Sequence, residues 1–148
     1  MTMLAWSTIK YWRTIQRLDE SKAALETLRW GTDYLMKCHP EKGVFYVQVS
    51  DKPSDEIYWG RAEDITYDRK SYKIDANHKG TEPVAEAAAA LAAASIVFRQ
   101  HDSYYADDLI RHAEQLFEMA WPPSNRAKYH QSITMADIES EIKLHFII

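Results

Sequence analysis

The chain has 148 residues, 46% hydrophobic and 27% charged, with a net charge of −4 at neutral pH. That length suits one compact domain, and that balance excludes the disordered, collagenous and membrane-spanning classes. No run of Lys and Arg could neutralise a row of phosphates, so nucleic acid is excluded as a partner, and no apolar run approaches the roughly 18 residues of a membrane span. Cys38 is the only cysteine, so redox compartment cannot be read from cysteine usage. Met1 to Trp6 lacks the charged stretch and apolar core of a signal peptide.

In chain order, Leu4, Tyr11, Ile15 and Leu18 recur at helical spacing and predict an amphipathic helix over about the first eighteen residues, with these four on one face. A second helix follows. Ala24, Leu28, Gly31 and Leu35 line one stripe of it, Trp30, Tyr34 and Cys38 a second, and Pro40 and Gly43 end it. Val44 to Val49 is dense in β-branched and aromatic residues and predicts a short strand, with a turn around Lys52, Pro53 and Ser54. From there to about Gly80 the sequence reads as a long loop with a short β-hairpin. Thr81 offers a cap, with Pro83 in the first turn, for a helix to Phe98 that is apolar nearly all round. Such a helix must be covered on more than one side, and Glu86 within it needs a partner if buried. The last helix places Ala106, Leu109, Ala113, Leu116 and Ala120 on one face. Asp107 and Asp108 suit the positive end of its dipole, and Trp121, Pro122 and Pro123 stop it.

The long loop carries the chemistry. Phe45, Tyr46, Tyr58, Trp59, Tyr67 and Tyr72 stand alongside Asp51, Asp55, Glu56, Glu63, Asp64, Asp68 and Asp75. Aromatic faces stack on sugar rings and carboxylates accept hydrogen bonds from hydroxyls, so the mixture suits a carbohydrate. The same aromatics would serve to pin a loop onto helices, and composition leaves both readings open. Glycoside hydrolysis needs two carboxyl groups about 5 to 9.5 Å apart. Spacing selects no pair among these carboxylates, and none has the apolar neighbours that would raise its pKa. Cys38 and His39 form a lone adjacent pair and His78 has no second histidine at ligand spacing, so no metal site is expected. Nucleophile-elbow and phosphate-loop motifs are absent.

Five stretches then occur in order: Arg29-Trp-Gly-Thr-Asp-Tyr-Leu-Met-Lys-Cys-His39, Tyr46-Val-Gln-Val49, Tyr58-Trp-Gly-Arg-Ala-Glu-Asp64, Tyr72-Lys-Ile-Asp-Ala76 and Ala85-Glu-Ala-Ala-Ala-Ala-Leu-Ala-Ala-Ala-Ser95. Together they resemble glycoside hydrolase family 9, the endoglucanases, over residues 1–135, with 136–148 as a tail unlike the family. The resemblance implies an all-α fold, a partial (α/α)6 barrel with about four of its twelve helices in this chain. It implies inverting hydrolysis of β-1,4-glucan, cellulose or cello-oligosaccharides, by a secreted parent enzyme. It places no catalytic residue in this chain: the Asp-Ala-Gly-Asp motif of the base would lie upstream of Met1, and the catalytic Glu far downstream. The chain alone is therefore expected to be inactive and to need no cofactor, calcium belonging to another segment of the full-length parent. Trp59 matches a tryptophan of the substrate cleft, and Tyr58, Glu56 and Arg61 beside it are the further candidates for substrate binding. Glu56 stands where the family pattern has histidine, so it can only accept a hydrogen bond from a sugar where histidine could donate one. Arg61, Glu63, Asp64 and Asp75 match family positions and are expected to order the loop. The competing readings are a non-catalytic carbohydrate-binding domain and a purely structural helical domain.

Overall fold

The computed structural model describes residues 1–50 and 52–121. Asp51, the Pro122–Pro123 stop and the expected tail lie outside the described residues. Four long helices form the body: α1 (Thr2–Arg17), α2 (Ser21–Cys38), α4 (Thr81–Phe98) and α5 (Ser103–Ala120). Between α2 and α4 run strand β1 (Phe45–Val49), helix α3 (Lys52–Ile57), a 3-10 turn at Ala62–Asp64 and strand β2 (Ser71–Ile74). The turn expected at residues 52–54 is thus the start of a short helix.

Helix α4 is central, packed by α5, α1 and α2. Alanine is the best helix former and has no side chain to hold neighbours away, so this segment both folds locally and admits close backbone approach. Val84, Ala87, Ala88, Ala90, Leu91, Ala93, Ala94, Val97 and Phe98 are all buried, as an apolar circumference requires. By length and composition α4 could cross a membrane, but 56% of it is buried inside the protein, as befits a core helix. On α5 the expected face, Ala106, Leu109, Ala113, Leu116 and Ala120, is buried throughout.

Three expectations fail locally. On α1 the packed residues are Ala5 and Thr8, with Ile9 beside them, while Leu4, Tyr11 and Leu18 are exposed. Close contact with α4 selects small side chains, and Thr8 hides its hydroxyl on the Leu4 carbonyl at 2.9 Å. Thr81 does not cap α4: it is the first helical residue, and extended Gly80 holds the cap position without a side-chain bond. Asp107 and Asp108 lie beyond the first turn of α5, which begins at Ser103 and holds no acidic residue in that turn; Glu86 is exposed, so the condition for its buried partner does not arise. Helix α5 has a cap that the sequence reading passed over, Asp102, whose carboxylate accepts from the Tyr105 N–H at 3.0 Å.

Polar contacts lock α2 to α5. Arg29 donates to Asp102 at 2.7 Å and lies 3.9 Å over the Tyr105 ring, while the Tyr105 hydroxyl donates to Asp33 at 2.6 Å. At the other end of α2, His39 Nδ1 meets His112 Nδ1 at 2.8 Å, and Lys42 pairs with Glu118 at 2.9 Å. Of the second stripe of α2, Trp30 and Tyr34 are 79% and 61% exposed, whereas Cys38 packs against the core.

Strands β1 and β2 pair antiparallel, from Phe45 opposite Ile74 to Val49 opposite Ser71, with an irregularity between Tyr46 and Gln48. Phe45 and Ile74 are buried and plant the ribbon on the body. Ser50 N–H donates to the Lys70 carbonyl at 2.8 Å and closes the neck from which the segment up to residue 70 projects.

Candidate functional site

The projecting segment is shaped by its own polar groups. The Tyr58 hydroxyl donates to the Arg61 carbonyl at 3.0 Å, folding the phenol back over Gly60. A Cβ at Gly60 would come within 2.5 Å of that hydroxyl oxygen, so any other residue there would push the phenol aside. Arg61 grips Asp64 through Nε at 2.9 Å and Nη2 at 3.2 Å. Trp59, between these clips, is 95% exposed, and its ring N–H donates to the Glu56 carbonyl at 3.2 Å. Among the described residues the indole does not pack into the core, and its apolar face is open to solvent.

Beside Trp59 lies an open hollow of about 430 Å³, lined by Ser54, Ile57, Tyr58, Trp59, Gly60 and Tyr67. The structure thus brings together two of the four expected substrate-binding residues, Trp59 and Tyr58. Glu56 touches this group through its main chain, and Arg61 is engaged by Asp64. Sequence reasoning passed over Tyr67 and Ile57 as site residues. Ile57 is 80% exposed on the rim, and a large exposed apolar residue beside an exposed tryptophan was the available signal. For Tyr67 no spacing rule would have served, because its place depends on how the loop folds back.

Three carboxylates, Asp55, Asp64 and Asp75, are structurally engaged. Asp55 accepts from the Tyr67 hydroxyl at 2.6 Å and faces Arg69 Nη2 at 3.6 Å. The Tyr67 hydrogen bond, with Ser50 and Arg69 adding to it, holds the Asp55 carboxyl below its ordinary value. Asp75 closes the turn into α4: it accepts from His78 Nδ1 at 3.0 Å and from the backbone N–H groups of Asn77 and His78, each at 2.9 Å, and lies 3.2 Å from Lys73 Nζ. Those bonds, His78 first, hold its carboxyl far below the usual range. A general acid for glycoside cleavage needs the opposite shift. What the arrangement offers chemically is a flat aromatic face beside an open hollow of about 430 Å³. A smaller hollow, about 280 Å³, opens where Met1, Tyr34, Cys38, Tyr46 and Glu86 meet, between α1, α2, β1 and α4.

The relatives agree with this architecture. Endoglucanase 19 of Arabidopsis thaliana is 47% identical over 136 residues, and endoglucanase 2 of Oryza sativa is 44% identical, each match covering 92% of this chain and 21% of the relative. The chain therefore spans about a fifth of these relatives' length. Among solved structures, the endoglucanase of the termite Nasutitermes takasagoensis superposes with a TM-score of 0.76 at 40% identity, covering 94% of this chain and 31% of that one. The cellulase Cel9M of C. cellulolyticum, in complex with cellobiose, gives 0.74 at 31% identity, covering 80% and 28%. The four long helices are accordingly part of an (α/α)6 barrel. The description "Glycosyl hydrolase family 9" matches residues 1–141, nearly the whole chain, and the chain belongs to that family.

Proposed function

We propose that this chain is a segment of an endo-β-1,4-glucanase, an enzyme that hydrolyses β-1,4-glucan with inversion outside the cell, and that the segment contributes part of the substrate cleft. The observation that carries the reading is Trp59, 95% exposed at the edge of the hollow that Tyr58 and Tyr67 also line. An indole held so by a bond from its own ring nitrogen leaves its face open for the apolar face of a glucose unit. The names of the plant relatives and the cellobiose bound to Cel9M support the choice of glucan. On this reading Trp59 and Tyr58 contact the sugar, while Glu56 and Arg61 stand at the margin of the subsite.

The isolated chain is expected to be inactive. Inverting hydrolysis needs a protonated carboxylic acid and a carboxylate base on opposite faces of the sugar. Among the described loop residues Asp55 and Asp75 are held in the charged form by their partners, and Asp64 is taken by Arg61. Purified chain should therefore retain cellohexaose yet release no reducing sugar from carboxymethyl cellulose above a blank. Turnover that disappears on mutating Asp55 or Asp75 would overturn the expected inactivity, and failure to bind cellohexaose or insoluble cellulose would overturn the glucan reading.

A further inference from the structure

We infer that Tyr67 is a positioning residue for Trp59: its hydroxyl, through Asp55, and its ring, against Tyr58, hold the turn in the shape that presents the indole. This deepens the glucan reading and rests on it for the identity of the ligand, but its geometry stands apart.

Three bonds inside the turn are local: Trp59 to Glu56, Tyr58 to Arg61 and Arg61 to Asp64 each span three residues and shape residues 56–64. Helix α3 leads directly into Tyr58, but at 6 residues it is far too short to be stable by itself. Asp55 ties it to the far arm of the loop, at Tyr67, 2.6 Å away and twelve residues on, and at Arg69. Arg69 stands just before the β1–β2 ribbon, which is planted on the body by Phe45 and Ile74. A continuous mechanical route thus runs from the core through the ribbon, Arg69 and Tyr67, across to Asp55 and α3, and on to Trp59. The Tyr67 ring adds a second strut, edge-on to Tyr58 with centroids 5.9 Å apart and planes at 71°.

Tyr67 also lines the hollow, so its ring can brush a ligand there, but a phenol has one proton to donate and Asp55 takes it. The bond to Asp55 acts through the turn, whatever the phenol oxygen accepts from a ligand. Substituting Tyr67→Phe removes the hydroxyl and leaves the ring; Asp55→Ala removes its acceptor. Each should weaken cellohexaose binding about three- to tenfold, the range that one net hydrogen bond spans. The double variant should bind no more weakly than Asp55→Ala alone, because that substitution already removes the Tyr67 contact together with the one to Arg69.

A second measurement separates this inference from the glucan reading. In chain labelled with 5-fluorotryptophan, the fluorine signal of Trp59, assigned by its loss in Trp59→Phe, should shift or broaden in Tyr67→Phe while the other tryptophan signals stay in place. Wild-type chain that fails to bind cellohexaose overturns the glucan reading and leaves the fluorine signal to decide the positioning role. An unmoved Trp59 signal in Tyr67→Phe, or unweakened binding by that variant where the wild type binds, overturns the positioning role itself.

Discussion

In α4, ten of eighteen side chains are buried, whereas between residues 54 and 70 no side chain is fully buried. The helix is held by area removed from water, a force with no direction that any apolar residue of the right size can supply. The excursion is held by a few directed contacts, Tyr58 to Arg61, Arg61 to Asp64 and Tyr67 to Asp55, each of which needs particular atoms at particular distances. A body built the first way tolerates no hole but carries no chemistry on its surface. A loop built the second way leaves Trp59 and Ile57 standing in water, where a ligand can reach them.

The sharpest break between the two regions is a deletion of volume. Leu91 is fully buried at the centre of α4, among Val84, Leu109 and Leu116 in the same core. Leu91→Ala should destabilise the chain by about 2 to 5 kcal/mol, the lost transfer free energy plus the cavity left behind. Chemical denaturation followed by circular dichroism measures it. A loss below about 1 kcal/mol would mean that α4 is not packed from several sides, and the contrast with the loop would fail.

What was legible in the sequence follows the same division. The face of α5 from Ala106 to Ala120 is readable because a 3.6-residue period and burial are the same fact, and the alanines of α4 predict burial all round in the same way. On α1 the pattern misleads: Leu4, Tyr11 and Leu18 have the right spacing, but what α4 admits at close range is Ala5 and Thr8. Hydrophobicity reports an apolar face, not which of two neighbouring faces a partner helix will choose. The cap at Asp102 is a local signal, three residues from the Tyr105 N–H it accepts, whereas the lock from Arg29 to Asp102 is illegible because seventy-three residues separate the pair. In the loop, family words point to Trp59, but the hydroxyl that fixes its turn belongs to Tyr67, which no periodicity marks.

Acid should distinguish the regions next. His39 is buried, and its Nε2 has no hydrogen-bond partner among the described residues. The arrangement that costs least has His39 Nδ1–H donating to His112 Nδ1, leaving a bare lone pair rather than an N–H without acceptor at Nε2. Adding a proton to His39 would strand that N–H. Burial first, then the neighbouring His112 and Arg111, pushes the His39 pKa down from 6.5 to about 4, and burial with Arg111 lowers His112 as well. The unfolded chain therefore binds more protons than the folded one between these values. The stabilisation is fully present above about pH 6.5 and is lost as pH falls towards about 4. Thermal melts across that window should show the melting temperature falling before the depressed carboxylates of Asp75 and Asp102, with ordinary values of 3.8, take over. In His112→Gln the slope over the same window should flatten. An equal slope in both proteins would remove the histidine pair from the account.

The smallest expected effect on folding is at Trp59. Its indole contributes one local hydrogen bond and almost no buried area, so Trp59→Ala should change stability by no more than about 0.5 kcal/mol, the range of surface substitutions away from caps and cavities. Its expected effect on binding is the reverse. If the exposed face stacks on a glucose unit, its loss should weaken cellohexaose binding by about 1 to 3 kcal/mol, taking the scale of aromatic stacking on nucleobases. That corresponds to roughly five- to 150-fold in Kd. Isothermal titration with wild type and variant, alongside thermal melts of both, sets the two numbers side by side. A melting temperature that collapses with Trp59→Ala while the surviving folded fraction binds normally would place the indole with α4 rather than with the site. Unchanged melting with weakened binding is what a side chain held out of the core by its neighbours' bonds should give.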